Sequence, residues 1–535
     1  MKEHSLSYRH WTIILAAFVF VMLPGLDHGI WRPDEPYVAG ISSGMARTHD
    51  FVTPLLNGRP FLEKPPLYYA VAGLSGMVFG PADDVSYRLA SILFSVLTLA
   101  AVFFFLRRRV GSRTALIADL VLATLWEYFR ISRWILVDIA LVFGVTLAML
   151  AWMRLAEGDR PKTSALIFGL ATAVAFLAKG MVGPGIIAAA VLIDIIRRRD
   201  IRLLYKSRPD IMLICMLLPV AAWVAALWSR GGWPYAREVL VVNNLMRFTG
   251  AAEAVALGHQ HGLFYYFGSL PGILMPWTLI FIPALALAIR RFREEPALSW
   301  LIGPFILLSI ASTKRSLYLA PLLPACAIMI AAWLNEPAKA KWERVILSIT
   351  WGLVIAGAVA PLAGIFLGQP VIGLVAGMLA IGALVLIDRD PELRRSSLAL
   401  ALCLCFAMSA SMMVFYKYRQ PQEDYLPITK QALALTGKNQ LSIIADDEIF
   451  EGVLPMLTGH VVENIPAVDQ IKIPGYYLWS DDKHESTITQ VKSLHPYKLL
   501  LDKPIGHNRK IRLAYIDPGA GGPKDGASSG SRGRR

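Results

Sequence analysis

The segment Trp31–Pro66, WRPDEPYVAGISSGMARTHDFVTPLLNGRPFLEKPP, is polar and charged, and it lies between two apolar stretches of the chain. It contains the adjacent acids Asp34 and Glu35 and, further on, Glu63 and Lys64 directly before two prolines. A polar loop that follows an apolar run of helix length is typical of a membrane protein, where it lies at the interface with water. The fold therefore depends on whether the other apolar runs also span a membrane.

The composition of the 535-residue chain is that of a membrane protein. Hydrophobic residues make up 55%, charged residues 17%, and the mean hydropathy is +0.50, whereas soluble domains carry about 25% charged residues. The formal net charge of +14 is concentrated in short loops between apolar runs, which is typical of loops facing anionic lipid rather than of nucleic-acid binding. All four cysteines lie in apolar runs, so neither a disulfide framework nor a cysteine metal site is predicted.

Apolar runs of helix length recur from Trp11 to Tyr416 and predict about 13 transmembrane helices. Lys and Arg are enriched in alternate loops, and the positive-inside rule then places the N-terminus in the cytoplasm and, with an odd number of spans, the C-terminus outside. Two long polar loops, about 27–87 and 229–262, fall on the outer face. Within the first, the apolar run 66–80 is short for a span and predicts an interfacial or re-entrant helix.

The chain is predicted to divide into a membrane domain, residues 1–416, and a small outer domain, residues 417–518. The outer segment combines a predicted helix at 428–436 with short strand-like runs, which favours an α/β domain. These runs are 441–445, 476–480, 497–501 and 511–516. The tail 519–535, rich in Gly, Ser, Lys and Arg, is expected to be disordered. The predicted fold class is an all-α polytopic membrane protein with a small C-terminal α/β domain.

Acidic side chains near the membrane are the first candidates for function, because ionisable groups there are costly unless they have a role. Asp34 and Glu35 can act as a general base, bind a metal or orient a sugar hydroxyl. The alternative is a solvated loop acid or a helix cap. Asp138, near the start of a predicted span, is either a further functional acid or an interfacial carboxylate paired with Arg130 or Arg133.

Basic side chains that fall on the same face suit the recognition of phosphate. Lys179 interrupts an apolar hairpin, where it can hold a lipid phosphate or extend to the interface as a structural residue. Lys314 and Arg315, followed by Tyr318, resemble a phosphate clamp. Their position outside, against the positive-inside bias, favours a functional interpretation.

A pair of histidines in the second outer loop suggests a metal site. His259 and His261 are two residues apart, so their rings lie on one side of an extended segment. Together with Glu63 they would form a mixed nitrogen and oxygen donor set. From the spacing alone, exposed loop histidines are the better interpretation.

A series of short motifs resembles the bacterial lipid A aminoarabinose transferases, whose wider family includes the protein O-mannosyltransferases. The motifs are DEPY (34–37), NG (57–58), EKPPL (63–67), RWILVD (133–138), LAKG (177–180), HGLFYY (261–266) and TKRSLYL (313–319). They follow the order of the family and cover about residues 10–340. The resemblance implies a GT-C fold, a polyprenyl-phosphate sugar as donor and inversion at the anomeric carbon.

One position departs from the pattern of the family. The family usually has an arginine shortly after the paired acids, where this chain has Pro36 directly before Tyr37. A sugar or phosphate contact made by that arginine has to come from elsewhere, and Arg32 is the candidate.

The resemblance also implies roles for the candidate residues. Asp34 is the base if the acceptor is a hydroxyl, or it positions the sugar, together with Asp138, if the acceptor is a lipid A phosphate. The expected catalytic residues are Asp34, Glu35 and Asp138. The residues expected to bind substrate or phosphate are Arg32, Tyr37, Lys64, Arg133, Lys179, Lys314, Arg315 and Tyr318. Glu63, His261 and His259 are expected to bind a divalent metal such as zinc, and no organic cofactor is expected.

The predicted function is an inverting glycosyltransferase of the bacterial inner membrane that acts on the periplasmic face. Its expected acceptor is lipid A and its expected sugar is aminoarabinose or a similar amino sugar; a protein or another envelope glycan is the alternative acceptor. A transporter of lipid-linked sugars would instead show inverted repeats and charges near mid-bilayer. A binding or assembly protein is disfavoured by the dense acid–base loop. We expect a monomer without a nucleic-acid partner.

Overall fold

The structure is a computed structural model that describes residues 7–246, 261–336, 339–394, 396–437, 441–445, 447–482, 484–506 and 508–519. A large set of apolar helices precedes a small C-terminal domain built on a five-stranded sheet. The fold class predicted from the sequence is therefore confirmed. His259 and the tail from residue 520 lie outside the described residues.

Eight helices in the described part of the chain are long and apolar enough to cross a membrane, or nine if one bent pair counts as a span. They are Asp84–Val110, Asp138–Ala156, Pro161–Lys179, Pro209–Asn243, Ser316–Leu334, Lys341–Ile365, Pro370–Asp388 and Ser397–Thr436. Shorter apolar helices cover Tyr8–Met22, Leu67–Phe79 and Pro296–Ile310. The chain is thus a multi-pass membrane protein, and the count of about 13 spans stays a prediction.

Several further helices complete the membrane domain. They are Glu35–Thr48, Ser112–Thr124, Trp126–Ile131, Val182–Arg198 and Leu203–Lys206. The start of Ser316–Leu334 is a 3₁₀-helix, Ser316–Leu322, and a second one, Ala360–Ile365, ends Lys341–Ile365. In the first outer loop, Leu55–Leu56 and Arg59–Pro60 form a short antiparallel hairpin.

The segment 263–289, predicted as one span, is broken in two. The helices Tyr265–Ile273 and Thr278–Arg290 meet at an angle of 115°. Pro276 lies in the break, and a proline lacks the N–H that would continue the helical hydrogen bonds. The two helices together are long and apolar enough for one bent span, so the span stays a prediction.

The second outer loop, predicted at 229–262, is helical in its first part. The helix Pro209–Arg237 continues into a π-helix, Glu238–Met246. Leu227 and Val239 are buried in one apolar cluster with residues of the first outer loop and of Pro161–Lys179. The helix is kinked at Gly232, near the predicted start of the loop, and packing favours helix beyond the kink although the segment carries polar residues. Its position outside the membrane stays a prediction.

The C-terminal domain contains the predicted strands and one predicted helix. The strands are Leu441–Ile444, Asn464–Ile465, Gly475–Asp481, Tyr497–Ile505 and Arg509–Ile516. The first lies between the second and third and is parallel to both, whereas the last two add antiparallel strands at one edge. The helices are Tyr425–Thr436, Glu448–Thr458 and Ser486–Leu494, with a 3₁₀ turn at Val468–Gln470. The preceding helix, Ser397–Glu423, extends past the predicted domain boundary at residue 416.

The C-terminal domain packs on the helix that follows Asp34. Helix Glu448–Thr458 lies against Glu35–Thr48, with Gly40 and Gly452 at the point of closest approach. Glycine permits this approach, because a Cβ atom at Gly40 would lie 2.5 Å from the Cα of Gly452. Nearby, the Arg47 guanidinium donates to the Met456 carbonyl at 2.9 Å. The first outer loop is therefore fixed between the membrane helices and the C-terminal domain.

Candidate active site

Asp34 is at the centre of a cluster of charged and phenolic side chains. It directly precedes helix Glu35–Thr48, where Pro36 suits the first turn. Tyr37, one turn along, donates to Asp34 Oδ1 at 3.0 Å, and Arg315 donates from Nη2 to Oδ2 at 2.7 Å. The Lys64 ammonium donates to the Tyr37 hydroxyl at 2.5 Å. These four predicted residues are brought together from three separate parts of the chain.

The electrostatic surroundings keep Asp34 ionised. Burial by itself favours the neutral acid, but the Arg315 hydrogen bond and the charges of Lys64 and Arg315 outweigh it. They hold the pKa of Asp34 well below its usual value. The carboxylate is thus a stable anion and a weak base.

A second ion pair lies beside the first. Lys179, at the end of helix Pro161–Lys179, donates to Asp138, at the start of helix Asp138–Ala156. An acid at a helix N-terminus and a base at a C-terminus both complement the helix dipole. The Lys179 ammonium also lies 4.5 Å from the centroid of the Tyr318 ring.

Arg315 links the two groups, because its guanidinium interacts electrostatically with Asp138 as well as with Asp34. We refer to the combined set as the polar site. It consists of Asp34, Tyr37, Lys64, Asp138, Lys179, Arg315 and Tyr318. Three cations face two carboxylates there, so the site can accept a further anionic group.

Lys314 does not join the polar site. Arg315 has an extended backbone, so adjacent side chains point to opposite sides. The buried Lys314 ammonium donates to the carbonyls of Ala311 and His261 at 2.5 and 2.9 Å. The predicted phosphate clamp of Lys314 and Arg315 is therefore divided, and only Arg315 faces Asp34.

Glu35 lies in a separate, completely buried cluster. Its Oε1 accepts from Arg88 Nη1 at 2.5 Å and from the backbone N–H of Ile135 at 3.0 Å. Its Oε2 accepts from the backbone N–H of Trp31 at 2.8 Å and lies 3.0 Å from His28 Nε2. Burial opposes ionisation of Glu35, yet the charge of Arg88 prevails and lowers the pKa of Glu35 to about 2. Glu35 has no exposed surface for a substrate, and the geometry supports a structural rather than a catalytic role.

Two predicted arginine ligands also lie apart from the polar site. Arg133 is buried, donates to the Val21 carbonyl at 2.8 Å, and stacks 3.3 Å from the centroid of the Phe129 ring. Arg32 lines a cavity of about 450 Å³ between the first outer loop and the C-terminal domain, opposite Asp447 and Arg509.

The metal prediction is not supported by the geometry of the described residues. That part of the chain contains no group of three His, Cys, Asp or Glu side chains able to hold an ion. The ring of His261 stacks on Tyr265 with centroids 4.1 Å apart, and His259 lies outside the described residues. Glu63 instead acts electrostatically on Tyr37 and Tyr69. The metal stays a prediction, and no chemical step below depends on it.

The sequence analysis missed four residues around these clusters. Arg88 and His28 complete the buried cluster of Glu35. The role of Arg88 could have been suspected from the sequence, because an ionisable residue at the start of a membrane span is costly unless it has a partner or a function. Tyr69 is fully buried, its hydroxyl has no hydrogen-bond partner among the described residues, and Glu63, Asp34, Asp138 and Glu448 all act on it electrostatically. Glu448 comes from the C-terminal domain, and no local pattern predicts its position.

Comparison with protein families supports the resemblance drawn from the motifs. Residues 9–230 match the family of dolichyl-phosphate-mannose-protein mannosyltransferases. The undecaprenyl phosphate-alpha-4-amino-4-deoxy-L-arabinose arabinosyl transferase of Edwardsiella ictaluri is 29% identical over 332 residues, or 61% of this chain and 58% of that protein. Its counterpart in Serratia proteamaculans is 26% identical over 63% of this chain and 61% of the relative. The chain thus matches about three fifths of the length of these relatives.

A solved structure extends the similarity to the whole fold. The crystal structure of ArnT from Cupriavidus metallidurans bound to undecaprenyl phosphate superposes with a TM-score of 0.76, covering 95% of this chain and 98% of that one. The sequence identity is 20%. The chain is therefore similar in sequence to the undecaprenyl phosphate aminoarabinose transferases and has the GT-C fold that its motifs predicted.

Proposed function

We propose that this chain is an inverting glycosyltransferase that moves a sugar from a polyprenyl phosphate donor to an acceptor at the membrane surface. The proposed sugar is aminoarabinose or a similar amino sugar, and the proposed acceptor is lipid A. The observation that carries the proposal is the polar site, in which Arg315 joins Asp34 and Asp138 at the ends of apolar helices. The similarity to the arabinosyl transferases supports the choice of donor and sugar, and the acceptor is chosen from the resemblance of the motifs.

The cations of the polar site suit the phosphate of the donor. Lys64, Lys179 and Arg315 are each hydrogen-bonded within the protein, and their positive charges are close enough to one another to share a phosphate group. In the reaction the bond between the anomeric carbon and the phosphate oxygen breaks, and polyprenyl phosphate leaves with an added negative charge. Fixed cations beside that oxygen stabilise the charge as it develops.

The low pKa of Asp34 favours an acceptor that is already ionised. A carboxylate held by Arg315 and Tyr37 accepts a proton only weakly, whereas a general base is most effective with a pKa near the working pH. A phosphate oxygen of lipid A can attack the anomeric carbon with no proton transfer. Asp34 then positions the sugar and stabilises positive charge at the anomeric centre, and Tyr37 holds Asp34 in place.

We place the polar site on the periplasmic face of the bacterial inner membrane. Helix Asp84–Val110 carries Arg107–Arg109 in its last turn, and helix Val182–Arg198 ends in Arg197 and Arg198, followed by Arg199. Asp138 and Lys179 lie at the opposite ends of the helices of this bundle. The positive-inside rule assigns the arginine-rich ends to the cytoplasm. The C-terminal domain, which packs on helix Glu35–Thr48, is then periplasmic.

Reconstitution tests the proposal directly. Purified protein in liposomes is supplied with undecaprenyl phosphate aminoarabinose and lipid A, and the mass of lipid A is measured. We expect the mass of one added sugar with the wild type and with Asp27→Asn, since Asp27 is an exposed partner of Lys417. Asp34→Asn should lose transfer by roughly a hundredfold or more.

Three outcomes would contradict parts of the proposal. Wild-type transfer by Asp34→Asn would remove Asp34 from the site. Transfer to a protein or another glycan, with lipid A unmodified, would overturn the acceptor. Movement of the donor across the bilayer with no new glycosidic bond would identify a transporter.

A further inference from the structure

A second cavity lies at the far end of the helix that begins at Asp138. Its volume is about 370 Å³, and we call it the arginine cavity. Its lining residues are Ala156, Arg197, Arg198, Arg199, Asp200, Leu203 and Arg293. Helix Asp138–Ala156 has 19 residues, so it is about 28 Å long, close to the roughly 30 Å of a bilayer core. Because Asp138 lies in the polar site, the two sites lie on opposite faces of the membrane domain.

One wall of the arginine cavity is rigid. The buried Asp194 accepts from Arg197 Nη2 at 2.6 Å, from Arg198 Nε at 2.9 Å and from the indole N–H of Trp152 at 3.0 Å. Arg197 also donates to the hydroxyl of Ser299 at 3.1 Å. These bonds fix two guanidinium groups at the cavity, one of them almost completely buried.

The opposite wall carries two further arginines that are not neutralised. The side chains of Arg199 and Arg293 are exposed, and within the described residues neither guanidinium makes a hydrogen bond or an ion pair. Four arginines therefore line the cavity, and the nearby carboxylates are those of Asp194, Asp200 and Glu295. The cavity keeps an excess of positive charge, and two of its arginines are exposed.

The chain segment next to the cavity exposes apolar side chains, interspersed with Arg202 and Lys206. The segment that follows Asp200 exposes Ile201, Leu204 and Tyr205, with 66%, 42% and 79% of their surfaces accessible. Large apolar side chains beside arginines at the end of a spanning helix suit the boundary between headgroups and acyl chains. A soluble phosphate would gain nothing from these side chains, whereas the chains of a lipid would cover them.

We propose that the arginine cavity binds the phosphate group of an anionic phospholipid, with the acyl chains lying against Ile201, Leu204 and Tyr205. Guanidinium groups pair with phosphate oxygens through parallel N–H···O bonds, and basic pockets between spanning helices bind such headgroups. Arg197 contributes a fixed charge, because its nitrogens already donate to Asp194, Ser299 and the carbonyls of Phe292 and Arg293. Arg198, Arg199 and Arg293 donate to the phosphate. This site is independent of sugar transfer on the other face.

Native mass spectrometry of the full-length protein in detergent tests the proposal. Phosphatidylglycerol and phosphatidylcholine with identical chains are titrated against the wild type and against Arg199→Ala/Arg293→Ala. We expect the wild type to prefer phosphatidylglycerol, and the variant to lose roughly tenfold or more of that preference, since each arginine near a headgroup contributes measurably. Arg199→Lys/Arg293→Lys should retain part of it, because the charge remains.

A matched control removes two charges outside the cavity. Arg108→Ala/Lys162→Ala changes two exposed residues that do not line it, and this variant should bind phosphatidylglycerol like the wild type. Equal lipid preference in the wild type and in Arg199→Ala/Arg293→Ala would overturn the proposal. A second result would also overturn it: inorganic phosphate binds to the wild type but not to Arg199→Ala/Arg293→Ala, and phosphatidylglycerol is not preferred over phosphatidylcholine. The ligand would then be a soluble phosphate.

Discussion

Gly452 of the C-terminal domain lies against Pro36 so closely that a Cβ atom at position 452 would be 2.1 Å from the Pro36 carbonyl oxygen. Pro36 follows Asp34 and Glu35 directly and lies in the first turn of helix Glu35–Thr48. A Cβ atom at position 452 would therefore displace the backbone of that turn. The C-terminal domain thus takes part in fixing the position of the Asp34 carboxylate. A side chain at position 452 has to push that turn away.

Gly452→Ala is therefore expected to lower transfer activity by roughly 10- to 100-fold, because a small displacement of a positioned group is costly in rate. The helix contact should also lose about 1–3 kcal/mol through overpacking. Gly475→Ala is the matched control in the same domain, since its Cβ atom would meet no atom closer than 3.6 Å. Activity and thermal unfolding of both variants are measured in detergent. Full activity of Gly452→Ala would show that the C-terminal domain does not set the position of Asp34.

Two arginines offer a direct comparison of the structure with the family pattern. Arg315 forms two parallel hydrogen bonds with Asp34, and lysine cannot reproduce this fork. Arg315→Lys should lower kcat by roughly a hundredfold through loss of charge-assisted bonds. Arg32→Lys should change kcat little, because Arg32 lines the cavity at the C-terminal domain. The kcat values of both variants are measured by steady-state kinetics. A larger loss of kcat in Arg32→Lys than in Arg315→Lys would show that Arg32 replaces the arginine that the family usually has after the paired acids.

Local pattern was sufficient for much of the fold. Strands such as Gly475–Asp481 follow from short apolar runs, and the spanning helices follow from apolar length. The convergence of Asp34, Lys64 and Arg315 was predictable from topology, because all three lie on one face of the predicted bundle. These features depend on residues that are close in sequence or on the membrane itself.

What local pattern could not supply is the direction of individual side chains. Asp34 and Glu35 are adjacent, yet one faces the polar site and the other the buried Arg88. The rotation of their helix is set by packing on the C-terminal domain, which joins segments some 400 residues apart in sequence. Lys314 and Arg315 differ for a similar reason, since the register of an extended segment is fixed by its tertiary contacts.

The pH dependence of transfer should report the pairing of Asp34 with Arg315. Since the pKa of Asp34 lies well below its usual value, the carboxylate stays ionised on acidification to about pH 5, where an unperturbed Asp is still largely ionised. A carboxyl group whose pKa is lower in the folded than in the unfolded protein stabilises the folded state at any pH above the unfolded-state pKa. This stabilisation is lost as the pH falls through the folded-state pKa. Asp34 should therefore cause no loss of kcat/KM between about pH 5 and 7.

Removal of the cation provides the comparison. In Arg315→Gln the buried Asp34 keeps the cost of burial and loses the largest influence that lowers its pKa. The acidic limb of the kcat/KM profile should then move to higher pH than in the wild type. An acidic limb at the same pH in both proteins would show that another group controls it.

The buried ion pair of Glu35 and Arg88 gives a prediction about stability. Both side chains are fully buried, and Glu35→Gln removes the nearer counter-ion of Arg88, leaving only Asp84 at 3.7 Å. Loss of one partner of a buried pair costs about 3–5 kcal/mol, so the variant should unfold at a much lower temperature. Glu157→Gln, which removes the partially exposed partner of Arg109, should cost at most about 1 kcal/mol. Thermal unfolding of the two variants in the same detergent provides the measurement. If Glu35→Gln unfolded at the same temperature as the wild type, the buried pair would not contribute to stability and the structural role of Glu35 would be contradicted.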